Sequence, residues 1–307
     1  MDTPARKMSG MVSQFRLGVE AHILDELRCV QWCADKGLIR QAHDCRKHRK
    51  ARRLVRHSGV DGVRWYCGKC DKGDSALVGS VFEMVHMPLG RAVMLIHCFA
   101  WGLTYEQAKL ATQLNAEDIE LSNHTIADWY GKLRDRLVDC AADDAGGQIG
   151  GPEMIVQIDE ALIGRRKYHK GRVVEETWVV GLIDTAGELR LTVVENRSAK
   201  SLLAVVRKYV KRGSEIHTDG WRGYNRLGEF GYTHKRVIHE HEFVAEDGTH
   251  TQRIESQWRN VRRTFSRGGI RHEDIGEHLV EHVWRRQCRR ANKDPFLELL
   301  KYLQYEG

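Results

Sequence analysis

The pattern of apolar and polar positions changes character along the chain. From Ile23 to Gly37, Ile23, Leu27, Val30 and Leu38 recur at roughly helical spacing, which predicts a short helix holding Cys29 and Cys33 as buried small residues. β-prone residues on both sides of Asp61-Gly62 predict a hairpin, since Gly accepts the positive φ of a tight turn. The run from Leu89 to Trp101 is mostly apolar and is closed by Gly102, as a buried helix would be. Thr104-Tyr105-Glu106-Gln107 then matches a capping box, and a third helix is expected from Ser122 or Asn123, with Ile126, Trp129, Leu133 and Leu137 as its stripe. This order resembles a helix-turn-helix, although the connection from Asn115 to Leu121 is long for one, and a supporting helical bundle is the open alternative.

After Pro152 the pattern turns to strands. Met154 to Ile158 predicts a first strand ending in Asp159-Glu160, and Thr177 to Ile183 with Leu189 to Glu195 a hairpin about Asp184 to Gly187. Ser198 to Val210 predicts an amphipathic helix, Glu215 to Thr218 a strand ending in Asp219, and Trp221 to Leu227 a further helix. From His250 to Arg267, Ile254, Trp258, Val261 and Phe265 form the buried stripe of a later helix. Three leading strands, a helix, a fourth strand and further helices is the order of an α/β, RNase H-like domain. The expected division is a helical segment over 1–37, a zinc ribbon over 38–73, a helical segment over 74–150, the RNase H-like domain over 151–290 and a helical tail over 291–307. Residues 141–152, rich in Gly, Ala and Asp, are the most linker-like.

Composition sharpens this in two places. The chain has 307 residues, with 49 Lys and Arg against 42 Asp and Glu, a net charge of +7. That excess favours an anionic partner without naming it. No apolar run is long enough to span a bilayer, and the N-terminus lacks the apolar stretch of a secretory signal, so a soluble intracellular protein without a membrane partner is expected. Eight cysteines suggest disulfides, but in a reducing compartment close Cys and His pairs are better read as metal ligands. Cys45 and His48, then Cys67 and Cys70, flank the predicted hairpin, a set suited to a closed tetrahedral Zn²⁺ site. Exchange of His48 for Cys29 or Cys33 stays open. Between the pairs, Arg46, Lys47, Arg49, Lys50, Arg52 and Arg53 form a basic run that is either a solvated face or a phosphate contact.

Asp159, Asp219 and Glu255 carry the chemistry. Read singly, they are a turn residue, a helix cap and a solvated helix acid. Taken together they fall after the first strand, after the fourth strand and at the edge of the buried stripe of the later helix. Three gathered carboxylates repel one another unless cations neutralise them, and hard oxygen donors suit Mg²⁺ or Mn²⁺, which serve in-line phosphoryl transfer. A zinc hydrolase using His217, His239 and His241 is a weaker reading, because His239 and His241 alternate with Val237 and Phe243 as the exposed face of a strand would.

Gln157-Ile158-Asp159-Glu160, Gly164 to Tyr168, His217 to Tyr224, His239 and His250 to Trp258 resemble the catalytic domain of the Merlin superfamily of cut-and-paste transposases and its bacterial ISXO2-like insertion-sequence relatives. The resemblance covers about residues 38 to 290. It implies a DDE transposase with the triad Asp159, Asp219 and Glu255, acting on double-stranded DNA at terminal inverted repeats and target sites, as a homo-oligomer. It further implies work in the nucleus of a eukaryotic host or the cytoplasm of a bacterial one. Relatives often carry Lys two helical turns after the Glu, where this chain has Arg262, and a phosphate contact near the scissile bond is expected of it. A DNA-binding protein derived from such an element, or an RNase H-like nuclease that cuts without joining, are the competing functions.

Overall fold

A computed structural model describes residues 23–56, 63–83, 85–144, 147–163, 176–237, 251–265 and 270–306. The Asp61-Gly62 turn, the Gly164 to Tyr168 motif, His239, His241 and His250 lie outside the described residues. The chain forms two compact units, Met1–Cys140 with Gln287–Gly307, and Ala141–Arg286. No described helix is long and apolar enough to cross a membrane.

The first unit opens with α1 (Glu26–Asp35), whose Asp25 cap accepts from the Arg28 N–H at 2.9 Å. Cys29 and Cys33 are buried on it, as their spacing predicted. β1 (Arg53–Arg56), β2 (Val63–Cys67) and β3 (Lys72–Ser75) make an antiparallel sheet in that order, so the expected hairpin gains a third strand. Val63, Trp65 and Cys67 alternate inward on β2, and that is almost all the core this sheet has. α2 (Leu89–Trp101) is buried nearly throughout and ends on Gly102 at φ 72°, with the cap N–H bonded to Cys98 and Phe99 carbonyls. α3 (Tyr105–Ala111) carries the predicted capping box of Thr104 and Gln107. α4 (Asn123–Asp144) starts where Ser122 Oγ accepts from the Thr125 N–H at 3.0 Å. The long connection before it is ordered by Arg91. This buried side chain donates to the Thr112 and Ile119 carbonyls at 3.0 and 2.6 Å, while Asp118 accepts from the N–H groups of Leu114 and Asn115. α8 (Pro295–Tyr302) belongs to this unit. Its Phe296 stacks on Trp32, and Arg136 donates to the Tyr302 carbonyl at 2.8 Å, contacts between residues too far apart in sequence for any local pattern to reveal.

The second unit is a five-stranded mixed sheet of β4 (Ile155–Ile163), β5 (Thr177–Asp184), β6 (Leu189–Val194), β7 (Glu215–Asp219) and β8 (Thr233–Val237), in the order β6-β5-β4-β7-β8. β4, β5 and β6 are antiparallel neighbours, whereas β7 runs parallel to both β4 and β8. This is the RNase H-like arrangement that the order of elements predicted. α5 (Ala199–Tyr209), capped by Ser198, packs Leu202, Leu203 and Val206 on one face with Val156, Ile158, Val180 and Ile216. α6 (Gln252–Phe265) packs Ile254, Trp258 and Val261 on the other with Ala161, Val179 and Ile183, joined by Ile275 and Leu279 of α7 (Ile275–Arg290). Ile149, inside the linker-like stretch, bridges to Val210 and is buried, so the ordered unit begins earlier than composition suggested.

Two expectations are corrected. β4 does not end at Asp159. It pairs with β5 as far as Ile163, because the apolar residues beyond the acids, Ala161 and Ile163, still face the α6 core. The helix expected over 221–227 is instead two 3₁₀ turns, Arg222–Tyr224 and Leu227–Phe230. Gly223 and Gly228 weaken an α-helix there, and the burial of Tyr224 and Leu227 sets the path of the chain.

Candidate functional site

The register of β4 and β7 places the first two acids side by side. Their parallel pairing ends at Gln157 opposite His217. Asp159 and Asp219 each stand two residues further on, and with a side-chain period of two they project from the same face. Asp219 Oδ1 accepts from the Trp221 N–H at 3.0 Å, which turns the chain away at the strand end.

Glu255 reaches this face because α6 is tied to β4 at two points. Gln157, 3% exposed, offers its Oε1 to the N–H groups of Arg253 and Ile254 at 2.9 and 3.3 Å, occupying two of the donors that a helix N-terminus leaves open. One turn past Glu255, Trp258 donates its indole N–H to Asp159 Oδ2 at 2.8 Å. Space for that indole comes from Gly181, which faces Asp159 across β4 and β5. A Cβ there would stand 2.8 Å from both Ile254 Cδ1 and Trp258 Cζ2. Thr251, buried at the start of the helix, donates to Glu255 Oε1 at 2.8 Å.

Burial raises the carboxyl pKa of Asp159 above the ordinary range. The bonds from Trp258 and the Glu160 N–H oppose this, and the negative charges of Asp219 and Glu255 push it up further. Glu255 itself is exposed, and lines a concavity of about 520 Å³ with Gln252, Ser256, Arg259 and Arg262. Arg262 therefore shares the side of α6 on which Glu255 lies, and Arg259, not singled out by the sequence, stands between them.

Behind the acids lies a network that no local pattern announced. Glu160, whose side chain is 1% exposed, is held by Arg197 Nη2 at 2.8 Å and by the Tyr224 hydroxyl. The Arg197 guanidinium sits between two indoles, 4.7 Å from the centre of the Trp178 ring and 4.4 Å from that of Trp221. Its position just before the Ser198 helix cap carries no sequence signal; only the fold gathers Arg197 with Glu160.

In the first unit Cys45, His48, Cys67 and Cys70 come together, with all four donor atoms within 4.8 Å of one another. No other group of three or more His, Cys, Asp or Glu among the described residues is so close. The Sγ atoms of Cys45 and Cys70 are 3.7 Å apart, and His48 Nδ1 is 3.7 and 3.6 Å from Cys45 and Cys67. Zn–S bonds of about 2.3 Å at tetrahedral angles separate two sulfurs by roughly 3.8 Å, so the site fits that ion without rearrangement. The backbone N–H of His48 is the largest influence drawing the Cys45 thiol down to about 6, towards the thiolate a metal needs. Arg49 and Asp71, immediately after the second ligand of each pair, have φ of 47° and 53°, the left-handed turn that closes each loop. Cys29 and Cys33 are not part of the group: both are buried in α1, so the exchange of ligands considered for them does not occur.

Of the basic run, Arg46, Lys47, Arg49, Lys50 and Arg53 are exposed, Arg53 lying over the Tyr66 ring at 5.7 Å. Arg52 is turned inward instead, paired with Asp74 and 9% exposed, because the sheet folds it against β3. His217, 2% exposed, is engaged with Glu215 at 2.7 Å and joins no cluster of metal-binding type among the described residues.

Comparison with known proteins agrees with this geometry. The family model of the ISXO2-like transposase domain matches residues 148–286. An uncharacterized transposase-like protein of Haemophilus influenzae is 32% identical over 94 residues, 30% of this chain and 76% of that protein. This chain belongs to the ISXO2-like transposase family. The matched span takes in the five-stranded sheet, α6 and the three acids. Among solved structures, a chain of the pre-cleavage Mos1 transpososome aligns over 70% of this chain and 94% of its own length, at 12% identity and a TM-score of 0.29. That score is too low to add to the strand order already described.

Proposed function

We propose that this ISXO2-like family member is a DNA transposase that cuts at the ends of its element and joins them to target DNA, with Asp159, Asp219 and Glu255 as its catalytic acids. The observation that carries the reading is the paired advance of Asp159 and Asp219, each two residues beyond the last matched residues of neighbouring parallel strands, with the α6 N-terminus tied to Gln157 between them.

The three side chains offer hard oxygen donors on one face, and the raised pKa of Asp159 is the electrostatic cost that a divalent cation would relieve. Mg²⁺ or Mn²⁺ bound there would activate the attacking oxygen and stabilise the leaving one. The protein's own part is positional. Trp258 and the Glu160 N–H orient the Asp159 carboxylate, Thr251 orients Glu255, and Arg259 and Arg262 line the concavity beside Glu255, where a DNA phosphate would lie. Zn²⁺ held by Cys45, His48, Cys67 and Cys70 would order the ribbon that presents Arg46, Lys47, Arg49, Lys50 and Arg53 to the DNA backbone. Two ends must be held at once, so the active form is a homo-oligomer working wherever the host keeps its DNA.

The test is cleavage and joining of a DNA carrying the inverted repeats that flank the coding region. Asp159→Asn, Asp219→Asn and Glu255→Gln should each lower Mg²⁺-dependent cleavage by about a thousandfold or more while DNA binding survives, because loss of one ligand charge removes most of the metal's contribution. Undiminished cleavage by any of the three removes that residue from the triad. Cleaved but never joined product would instead point to a nuclease, and binding without either reaction to a DNA-binding derivative.

A further inference from the structure

The parallel pairing of β4 and β7 stops at Gln157 and His217, yet Asp159 and Asp219 both stand beyond it. A ladder holds neighbouring strands at a fixed spacing, so past its end other contacts must set how far apart the two carboxylates lie. Such contacts run over the other face of the sheet. Asp159 and Glu160 are consecutive on β4 and leave it in opposite directions, Asp159 towards Trp258 of α6 and Glu160 towards Tyr224 and Arg197.

Arg197 is engaged at both of its ends. Its guanidinium donates to Glu160 Oε2 through Nε at 3.0 Å and Nη2 at 2.8 Å, while the Tyr224 hydroxyl holds Oε1. Its backbone carbonyl accepts from the Trp221 indole N–H at 3.2 Å, and the Trp221 backbone N–H holds Asp219 Oδ1 at 3.0 Å. Gly223 lets the indole fold back over its own turn, since a Cβ there would stand 2.8 Å from Trp221 Nε1. From Asp159 through the Glu160 N–H, Arg197 and Trp221 to Asp219, every link is a covalent or a hydrogen bond. Burial raises the Glu160 carboxyl above its ordinary range, the bonds from Tyr224 and Arg197 oppose this, and the charge of Asp219 is felt there as well.

We propose that Arg197 is a positioning residue: by tying Glu160 to the turn after β7 it sets the spacing of Asp159 and Asp219, and through that spacing their affinity for a divalent cation. The assignment to a metal-binding pair rests on the functional reading above. Mg²⁺ demands near-octahedral oxygens about 2.0–2.1 Å from the ion, so a small shift between two ligand carboxylates costs affinity. A buried ion pair on its own is weak evidence for such a role, because it also serves packing. Arg197 does more than pair: its two ends join β4 to the turn that carries the Asp219 contact.

The experiment titrates Mn²⁺ into the full chain without DNA, reads the bound ion from the loss of the free-ion EPR signal, and records the melting temperature of each variant. The wild type should bind Mn²⁺, and Asp159→Asn should weaken it, which locates the ion at the acids. Trp221→Phe keeps an aromatic ring beside Arg197 and removes the indole N–H, at a residue 40% exposed. It should melt near the wild type and bind Mn²⁺ about tenfold more weakly, as loss of a contact behind the ligands typically does. Glu160→Met with Arg197→Met removes the pair without stranding a buried charge, so stability should hold while Mn²⁺ affinity falls by about tenfold or more. Saturating Mn²⁺ should restore DNA cleavage to both variants, which loss of a catalytic acid would not allow. Wild-type Mn²⁺ affinity in Trp221→Phe, or in a double variant that melts normally, refutes the positioning role and leaves the transposase reading standing. A wild type that binds no Mn²⁺, or an Asp159→Asn that binds it equally well, overturns that reading and the positioning role with it.

Discussion

The Cys45 group of the ribbon and the face of the α/β unit that carries Asp159 are built by opposite routes. In the ribbon, Cys45 and Cys70 are 25 residues apart, and the four donors meet through two tight loops and a small sheet. In the second unit, Trp258 reaches Asp159 across 99 residues, over a sheet covered by apolar side chains on both faces. The ribbon has only a few buried residues of its own on β2, so a metal held by the Cys45 group would supply much of its folding energy. The α/β unit has a full core on both faces of its sheet and holds Asp159 in place at an electrostatic cost. On the function proposed above, the metal site would make the fold in one region, whereas the fold would make the site in the other.

Removing zinc should break this contrast most visibly. The purified protein is expected to hold about one zinc per chain, and strong chelation or Cys67→Ser should release it and unfold the ribbon, since structural zinc contributes roughly 10–16 kcal/mol in small zinc domains. Hydrogen exchange should then rise in β1 to β3 and stay low in β4 to β7. Metal analysis finding no zinc, or protection of the ribbon that survives chelation, would place the two regions in one class.

Gly181→Ala probes the other side of the contrast. The added methyl must displace Ile254 or Trp258, so a loss of about 1–3 kcal/mol is expected from overpacking. Cleavage should fall further than stability does, because Trp258 would no longer hold Asp159. A variant that melts lower but cleaves normally would show that the Trp258 contact serves packing alone.

The smallest effect concerns charge. Burial and the neighbouring acids raise the Asp159 pKa in the folded chain above its unfolded value, so the folded state holds this proton more tightly than the unfolded one. The contribution of Asp159 to stability is therefore greatest below the ordinary carboxyl range and is lost as pH rises through the raised pKa. Asp159→Asn does not titrate. Without divalent cation it should melt above the wild type at neutral pH, by a few degrees at most on the order expected for about 1 kcal/mol. The advantage should disappear as the pH is lowered, and saturating Mg²⁺ should narrow it by stabilising the wild type alone. A melting difference independent of pH would mean that Asp159 is not strained by its surroundings.

What could be read from the chain alone was whatever depends on near neighbours. The Thr104 capping box, the helix stop at Gly102, the turn between β5 and β6 and the Cys-x₂-His and Cys-x₂-Cys pairs each lie within a few residues, and each stands in the structure as its local chemistry requires. The order of strands and helices named the RNase H-like fold, because right-handed connections leave few ways to assemble such a sequence of elements. Tertiary structure alone decided that Gln157 caps α6, that Gly181 makes room for Trp258, that Arg197 is clamped between Trp178 and Trp221, and that Arg52 turns inward to Asp74. Each of these joins residues on different elements. The physical reason is that periodicity reports which face of an element is buried, whereas the partner on that face is set by sheet register and helix docking, which distant segments determine together.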